Sequence, residues 1–281
     1  MRRGKVQCLT GNQLHQMVYT EWGEVDNPHV LICVHGLTRN GRDFDALAQT
    51  LSRDYRVICP DVAGRGQSDW LDDGAAYVVP IYMQHMVTLI ARMGVARVDW
   101  VGTSMGGLIG MGLAALAHSP IRRLVLNDVG PLINAQAICR IGEYVGRAPR
   151  FESIEAAEAY VRGISAGFGA LSDAQWRHLT LHSLRQDGDG WRMGYDPAIG
   201  DTMRSTLGNA NVNLWSVYEQ IHCPTLVLRG AESDLLGAAT VAEMSRRGPC
   251  AESVEIAAVG HAPMLMDPAQ IAVVRDFLLR P

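Results

Sequence analysis

The apolar residues of this chain form short runs that are separated by longer segments with helical spacing. Short runs rich in β-branched and other apolar residues are typical of parallel strands that are buried on both faces. We interpret six segments in this way: Val30–Val34, Arg56–Cys59, Val98–Val101, Arg123–Leu126, Thr225–Leu228 and Glu252–Ile256. The earlier segment Gln16–Glu21 alternates in polarity, which predicts an antiparallel edge strand.

Between these segments, apolar residues recur at spacings close to the i, i+3, i+4, i+7 pattern of amphipathic helices. The three clearest stripes are Phe44, Leu47, Ala48 and Leu51; Met86, Leu89, Ile90 and Met93; and Ile271, Val274, Phe277 and Leu278. Pro268 precedes the last stripe, at a position where proline commonly begins a helix. The alternation of strand and helix predicts an α/β fold with a doubly wound, mostly parallel sheet.

The composition is that of a folded protein in water, since 48% of the 281 residues are hydrophobic and 19% are charged. The net charge of −4 gives no reason to expect a nucleic-acid partner. No run approaches the roughly 20 apolar residues that cross a bilayer, and no apolar segment follows the basic start Arg2–Lys5 as in a secretory signal. The six scattered cysteines favour reduced thiols and a cytoplasmic location.

The strongest chemical signal is the segment Gly102-Thr103-Ser104-Met105-Gly106-Gly107. It links the predicted strand Val98–Val101 to a helix-like segment rich in small residues. A serine on a tight strand-to-helix turn needs small neighbours, because the strained backbone leaves little room beside it. Gly102 and Gly106 supply that room. The pattern therefore predicts that Ser104 projects above the sheet as a nucleophile that attacks a carbonyl carbon.

Residues 131–215 interrupt the alternation of strand and helix. They contain helix-like stretches at Ser153–Gly163 and Ser172–Ser183 and no convincing buried strand, so we predict an all-helical insertion. An insertion between two sheet strands lies at the end of the sheet where those strands stop, which is the end that carries Ser104. We therefore expect a core domain of residues 1–130 and 216–281, with residues 131–215 as a cap over the nucleophile.

A serine nucleophile needs a base, and the base needs an acid that orients it. His261 lies between the last predicted strand and the last predicted helix, so its loop can reach back over the sheet edge. Two carboxylates, Asp234 and Asp128, follow predicted strands at the same edge. We favour Asp234, although the order serine, acid, histidine holds for both. The alternative acid, Asp128, also belongs to a residue type that commonly stabilises turns.

Two backbone N–H groups are expected to stabilise the oxyanion that forms when Ser104 attacks. One belongs to Met105, directly after the nucleophile. The other belongs to Leu37, in the loop that follows the first parallel strand. Gly36 allows that loop to turn sharply enough to direct the Leu37 N–H at the site. We interpret His35 as a residue that organises the loop rather than as a second base.

The substrate pocket is predicted to include His35, Gly36 and Arg39. Arg39 is either a contact for a substrate carboxylate at the mouth of the pocket or a solvated loop residue. We predict no cofactor and no metal. The glycine-rich loop Asp61–Ser68 lacks the lysine of a phosphate-binding loop, and we interpret it as a structural turn near the site.

Five motifs in this order resemble those of the α/β-hydrolase superfamily: His35-Gly36, the loop Asp61–Ser68, the turn Gly102–Gly107, Asp234 and Gly260-His261. The resemblance extends over nearly the whole chain. It implies an α/β-hydrolase fold, with a mostly parallel eight-stranded sheet flanked by helices and a helical cap inserted after the sixth strand. It also implies the catalytic triad and oxyanion donors named above, with Asp234 as the acid.

This resemblance implies a serine esterase that cleaves a carboxylic ester, lactone or thioester of a small, largely apolar substrate through an acyl-enzyme. The serine nucleophile differs from the aspartate of epoxide hydrolases and haloalkane dehalogenases. Two alternatives stay open: a C–C bond hydrolase of a vinylogous diketone acid, and a non-catalytic receptor for a small ligand. Many C–C hydrolases carry Trp after the catalytic His, where this chain has Ala262. The expected partners are the ester and water, without nucleic acid or membrane, and the oligomeric state stays open.

Overall fold

The fold is known from a computed structural model, which describes residues 1–207 and 211–280. The strands in these ranges are β1 Arg2–Thr10, β2 Gln13–Trp22, β3 Val30–Val34, β4 Arg56–Pro60, β5 Val98–Thr103, β6 Ile121–Asn127, β7 Leu132–Ile133, β8 Arg150–Phe151, β9 Leu184–Asp187, β10 Gly190–Met193, β11 Val212–Asn213, β12 Thr225–Gly230 and β13 Glu252–Ile256. The α-helices are α1 Asp45–Leu51, α2 Val79–Met93, α3 Met105–Ala114, α4 Ala135–Gly142, α5 Ile154–Ile164, α6 Asp173–Ser183, α7 Ala198–Leu207, α8 Trp215–Tyr218, α9 Ala238–Met244 and α10 Pro268–Leu278.

Eight strands form the main sheet, in the order β1-β2-β4-β3-β5-β6-β12-β13. β2 pairs antiparallel with both β1 and β4, whereas the pairs from β4 onward to β13 are parallel. The six predicted parallel strands are confirmed, because each predicted segment lies within one of β3, β4, β5, β6, β12 and β13. The predicted fold class, α/β with an eight-stranded and mostly parallel sheet, is therefore confirmed.

The strand that was predicted at the edge of the sheet has a neighbour on each side. Gln16–Glu21 lies within β2, which pairs with β1 and with β4. The antiparallel edge strand is β1, in which Val6, Cys8 and Thr10 are buried while the residues between them are exposed. The sequence interpretation missed β1, because only the second half of this strand shows a visible alternation of polarity. It therefore wrongly placed β2 at the edge of the sheet.

A layer of helices covers each face of the sheet. Because alternate residues of a strand point to opposite faces, Ile32 and Leu31 belong to different core clusters. The apolar stripe of α2 packs into the first cluster, and the stripe of α10 packs into the second. The remaining stripe also packs into the second cluster, with Phe44 directly before α1 and its other three residues on α1, so all three predicted stripes are confirmed as buried faces. Among the helices of the described ranges, none combines the length and apolar character that a membrane crossing requires.

The order of strands reverses beside β3. The chain passes from β3 to β4 on one side and then returns to β5 on the other side. The loops that follow β3 and β5 therefore diverge at the carboxyl ends of the strands and leave a crevice, which is where open α/β sheets bind ligands. Gly36 lies in the first of these loops and Ser104 in the second.

The insertion of residues 131–215 follows β6, the sixth strand along the chain, as predicted, but it is not all-helical. Its described residues contain α4 to α7, a three-stranded sheet in the order β8-β10-β9, and the two-stranded pair β7-β11. The hairpin between β9 and β10 turns at Gly188, whose φ is +62°. The two-residue loop is Gly188-Asp189, and a Gly-Asp pair is a hairpin signal that the sequence interpretation overlooked.

Direct hydrogen bonds join the insertion to the loops at the carboxyl edge of the main sheet. Arg39 Nη1 donates to Ser183 Oγ over 2.8 Å, and Asn40 Nδ2 donates to the carbonyl oxygen of His182 over 2.9 Å. On the other side of the crevice, the Gly260 N–H donates to the Gly167 carbonyl over 2.7 Å. The insertion therefore lies over the end of the sheet that carries Ser104.

Two buried histidines meet between β2 and α2. His85 Nε2 lies 2.8 Å from Thr10 Oγ1 and 3.2 Å from His15 Nε2. Burial and the neighbouring His15 lower the pKa of His85 to about 4, and burial also lowers the pKa of His15. Both rings are therefore neutral in the folded protein at pH 7. The unfolded chain binds their protons near pH 6.5, so the folded state loses stability relative to the unfolded chain as the pH falls below 6.5. For His85 this loss continues toward pH 4.

We expect His85→Gln to flatten the dependence of stability on pH. Glutamine can still bond to Thr10, but it does not titrate, so the variant escapes the penalty of roughly 1 kcal/mol per pH unit that a neutral buried histidine contributes below pH 6.5. Urea unfolding of both proteins at pH 7 and pH 5 measures the effect. The wild type should lose the larger free energy of unfolding between the two pH values, and equal losses would contradict the prediction.

Candidate active site

Ser104 occupies a strained turn between β5 and α3. Its backbone has φ 52° and ψ −115°, which is uncommon for a residue with a side chain. The Ser104 N–H donates to the carbonyl oxygen of Asn127 over 3.0 Å, and this bond ties the turn to the end of β6. The strain is held by the surrounding structure and directs the hydroxyl away from the strand, into the crevice.

The two glycines of the turn are required by close approach of the backbone. A Cβ atom on Gly102 would lie 2.3 Å from the carbonyl oxygen of Gly106. A Cβ atom on Gly106 would lie 1.9 Å from the carbonyl oxygen of Val34. Trp100 donates from its indole Nε1 to the same Gly106 carbonyl over 3.0 Å. The start of α3 therefore packs directly on the ends of β3 and β5, which places Ser104 at the crevice.

His261 connects Ser104 to a carboxylate in an unbroken chain of hydrogen bonds. Its Nε2 lies 2.9 Å from Ser104 Oγ, and its Nδ1 lies 2.7 Å from Asp128 Oδ2. A carboxylate only accepts hydrogen bonds, so Nδ1 carries the proton that is donated to Asp128. Nε2 of the neutral ring is then free to accept the hydrogen of the Ser104 hydroxyl. The structure thus brings together the two residues that the sequence paired as nucleophile and base.

Asp128 is fully buried and held by further donors. The Gly230 N–H donates to Oδ1 over 2.8 Å, and the Ser233 hydroxyl donates to Oδ2 over 2.6 Å. Together with His261, these groups compensate for the loss of water around the carboxylate. The arrangement allows a buried negative charge to orient the imidazole and to stabilise its protonated form.

The structure does not bring Asp234, the acid favoured from the sequence, to His261. Asp234 has a side chain that is 47% exposed and accepts from Arg140 Nε and Nη2 over 2.6 and 2.9 Å. Partial burial opposes the shift, but the hydrogen bonds and charge of Arg140 outweigh it and lower the pKa of Asp234. The preference fails because Asp128 lies at the end of β6, beside β5, whereas Asp234 lies beyond the end of β12 near the surface.

The loop after β3 passes beside the nucleophile, as an oxyanion loop must. A Cβ atom on Gly36 would lie 3.7 Å from Ser104 Cβ. His35 is fully buried and fixes this loop, since Nδ1 lies 2.7 Å from the Gly36 carbonyl oxygen and Nε2 accepts from the Val62 N–H over 3.0 Å. Burial lowers the pKa of His35 to about 3, so the ring is neutral at pH 7. These contacts agree with its interpretation as a residue that organises the loop.

Arg65 is a fully buried arginine that the sequence interpretation did not single out. It donates from Nε to the Leu37 carbonyl oxygen over 2.9 Å and from Nη1 to the Tyr82 hydroxyl over 2.8 Å. Its guanidinium also stacks on the Tyr82 ring, 4.9 Å from the centroid. Arg65 therefore holds the peptide unit after Leu37, which in turn orients the loop beside Ser104. The only sequence signal for it was its place in the glycine-rich loop Asp61–Ser68.

A cavity in front of Ser104 lies between the main sheet and the insertion. Its apolar lining comes from both parts of the chain: Leu37, Phe44, Ile141, Tyr144, Ile164, Phe168, Met193 and Met264. The predicted pocket residues His35, Gly36 and Arg39 also line it. Arg39 is not a solvated loop residue, because its side chain is 10% exposed and makes two hydrogen bonds to Asp43. Arg140 lines the cavity as well and was missed, because it lies within the insertion.

One cluster among the described residues has the atoms of a metal site, and it lies outside this cavity lining. Asp45, His178 and His182 offer ligand atoms within 4.8 Å of one another. The prediction that no metal is bound overlooked the spacing of His178 and His182, four residues apart on α6. Asp45 is already paired with Arg42, and His178 Nε2 lies 3.0 Å from the Arg42 carbonyl oxygen. These contacts explain the cluster as part of the packing between α6 and the start of α1.

Known proteins are similar to this chain in both sequence and fold. A sequence model described as "Alpha/beta hydrolase family" matches residues 31–274. The 3-hydroxybutyrate-oligomer hydrolase of Cupriavidus necator is 53% identical over 284 residues, covering 98% of this chain and 97% of that protein. The crystal structure of an alpha/beta hydrolase from Novosphingobium aromaticivorans aligns with a TM-score of 0.86 at 34% identity over 98% of both chains. E-2-(acetamidomethylene)succinate hydrolase shares the fold, with a TM-score of 0.85 at 24% identity over 99% of both chains.

Proposed function

Because the chain belongs to the alpha/beta hydrolase family, we propose that it hydrolyses the ester bonds of short 3-hydroxybutyrate oligomers through an acyl-enzyme on Ser104. Hydrolysis of ester bonds is the activity named for the relative that is 53% identical over nearly the whole chain. The hydrogen-bond chain from Ser104 through His261 to Asp128 is the observation that carries the serine mechanism.

In the first half of the reaction, Ser104 Oγ attacks the ester carbonyl carbon while His261 Nε2 takes the hydroxyl proton. The resulting imidazolium is stabilised by Asp128, which accepts from Nδ1. When the tetrahedral intermediate collapses, the ester C–O bond breaks and His261 gives the proton to the alcohol that leaves. In the second half, a water molecule loses a proton to His261 and attacks the acyl-enzyme, which releases the acid and restores the Ser104 hydroxyl.

The negative charge that forms on the carbonyl oxygen needs donors beside Ser104. We assign this role to the backbone N–H groups of Met105 and Leu37. Met105 is the first residue of α3, where backbone N–H groups have no partner within the helix. The Leu37 loop is held beside Ser104 by His35 and Arg65. A donor of this kind is typically worth about 3 kcal/mol of barrier height.

The cavity supports a small, largely apolar ester as the substrate. Its lining side chains are mostly aliphatic or aromatic, which suits the methyl and methylene groups of a hydroxybutyrate unit. We also propose that residues 131–215 act as a cap, with residues 1–130 and 216–281 as the core. Ile141, Phe168 and Met193 of this insertion form part of the lining, so closure over a bound ester would exclude water from the attacking serine.

Two measurements test the proposed function together. The first is hydrolysis of 3-hydroxybutyrate dimer and trimer beside short aryl esters, lactones and thioesters, with Ser104→Ala as the blank. The second is reaction with a fluorophosphonate, followed by mass spectrometry. We expect turnover of the oligomers and a single adduct on Ser104 in the wild type, and neither in Ser104→Ala.

Two results would contradict the proposal in different ways. Turnover of aryl esters without turnover of the oligomers would exclude the proposed substrate and leave the serine mechanism standing. A wild-type protein that stays unlabelled and inactive would favour the non-catalytic receptor that the sequence left open.

A further inference from the structure

The cavity has an uneven distribution of charge. Two arginines line it, Arg39 and Arg140. Arg39 is neutralised within the lining, because its partner Asp43 also faces the cavity. The partner of Arg140 is Asp234, which is not among the lining residues. The Arg140 guanidinium therefore faces the cavity without its paired carboxylate, and the hydrolysis of an ester does not by itself require such a group.

We propose that Arg140 binds the free carboxylate of the substrate and thereby directs hydrolysis to an ester bond near the carboxyl end of an oligomer. This inference rests on the proposed function, because it assumes a hydroxyacid oligomer as the substrate. Such an oligomer carries its single negative charge at one end and a neutral hydroxyl at the other. A positive group at a fixed place in the cavity therefore distinguishes the two ends.

The guanidinium of Arg140 has donors left for a second carboxylate. An arginine side chain offers five N–H bonds. Along one edge of the guanidinium, Nε and Nη2 of Arg140 donate to the Asp234 carboxylate over 2.6 and 2.9 Å. The edge formed by Nη1 and the second Nη2 hydrogen matches the spacing of another carboxylate. The Arg140 side chain is 43% exposed, so a ligand can reach it.

Asp234 has a positioning role in this arrangement. Because Asp128 orients His261, Asp234 is not needed in the catalytic hydrogen-bond chain. It instead joins the loop after β12 to Arg140 on α4, across the junction of the main sheet and the insertion. A half-exposed ion pair contributes at most about 1 kcal/mol to stability. Its effect is to hold the guanidinium plane in place without closing it to a ligand.

Two residues that follow Arg140, Ile141 on α4 and Tyr144 just beyond its end, continue the binding surface. Both side chains line the cavity, as Arg140 does. The predicted binding mode therefore has a charged end at Arg140 and an apolar stretch against these side chains, with the ester carbonyl at Ser104. Ser104 Oγ adds to that carbonyl carbon and the ester C–O bond breaks. The alcohol that leaves, with a proton from His261, is the unit that carries the free carboxylate, and water then releases the acyl group from Ser104.

The test compares a 3-hydroxybutyrate trimer that has a free carboxylate with the same trimer that has a terminal carboxamide. The two differ in charge but not in size or ester content. We expect the wild type to prefer the acid, mainly through a lower KM. Arg140→Gln should reduce this preference about tenfold to a hundredfold, since hydrogen bonds to a charged group are worth roughly 1.5–3 kcal/mol. Arg140→Lys, which keeps the charge, should restore part of the preference.

Arg177→Gln is the matched control. Arg177 also lies on an insertion helix, is 39% exposed and pairs with a carboxylate, but it does not line the cavity. Its substitution should leave the preference for the acid unchanged. If Arg140→Gln slows both trimers equally, Arg140 has only a structural role and the inference is overturned while the proposed function stands. If the wild type cleaves neither trimer but cleaves aryl esters, the proposed substrate and this inference both fail.

Discussion

Asp128→Asn is expected to lower kcat about ten-thousandfold on any ester that the wild type cleaves. Asparagine has the same shape, but its amide donates where the carboxylate accepts, so it favours the wrong tautomer of His261 and does not stabilise the imidazolium. The loss expected for an amide in place of the triad acid is of this order. Steady-state kinetics on a neutral aryl ester measure it, and circular dichroism checks that the variant folds.

The matched variant is Asp234→Asn, assayed on the same neutral ester. Asp234 is half-exposed and bonded to Arg140, so its kcat should stay within about one order of magnitude of the wild type. A reversal of the two results, with a large loss for Asp234→Asn and a small one for Asp128→Asn, would show that the hydrogen bond from His261 to Asp128 is not the catalytic one.

Gly106→Ala is expected to destabilise the protein by about 3 kcal/mol or more and to abolish hydrolysis. The added methyl group would lie 1.9 Å from the Val34 carbonyl oxygen and 3.0 Å from that of His35. Both are backbone atoms, one in the last residue of β3 and one in the residue that follows it, so they cannot move aside as a flexible side chain would. Overpacking of this kind costs upward of roughly 1–3 kcal/mol, and any relief would displace the adjacent Ser104.

Gly163→Ala is the control, because it makes the same substitution at a position with more space. Gly163 lies within α5, and among the described residues a Cβ atom there would meet no heavy atom within 4 Å apart from the adjoining backbone of its own helix. Alanine in a helix interior is favoured over glycine by roughly 0.5–1 kcal/mol, so this variant should be slightly more stable than the wild type. Thermal and urea unfolding of both variants measure the two effects. Equal behaviour of the two variants would contradict the close packing of the turn.

The sequence predicted most of the sheet because parallel strands are buried on both faces and appear as apolar runs. Val30–Val34 and Glu252–Ile256 match their strands at both ends. The sequence interpretation made two errors, the position of the edge strand and the expectation of an all-helical insertion. Both concern strands without such apolar runs. The edge strand β1 has exposed residues on one face, and β9 is only partly buried. The alternation of polarity in β1 extends over only a few residues. The turn signal after β9 was weak beside the helical patterns of the insertion.

The candidate site was predictable in its nucleophile and its base. Ser104 stands out because the turn around it requires glycines at fixed neighbouring positions, which is a local constraint. His261 stands out because it lies in the last loop at the edge of the sheet. The acid was not predictable, since both candidates follow strands that end at that edge. Arg140 gave no local signal at all, because its place in the cavity depends on how the insertion packs.

By itself, the sequence determined the α/β order of elements, the strained turn at Ser104 and the loop that carries His261. These features follow from burial periodicity and backbone sterics, which act over a few residues. Only the tertiary structure decided that Asp128 bonds to His261, 133 residues away, and that Asp234 bonds to Arg140. Such pairings depend on which strands are neighbours and on the paths of the loops above them, and these are properties of the whole packed chain.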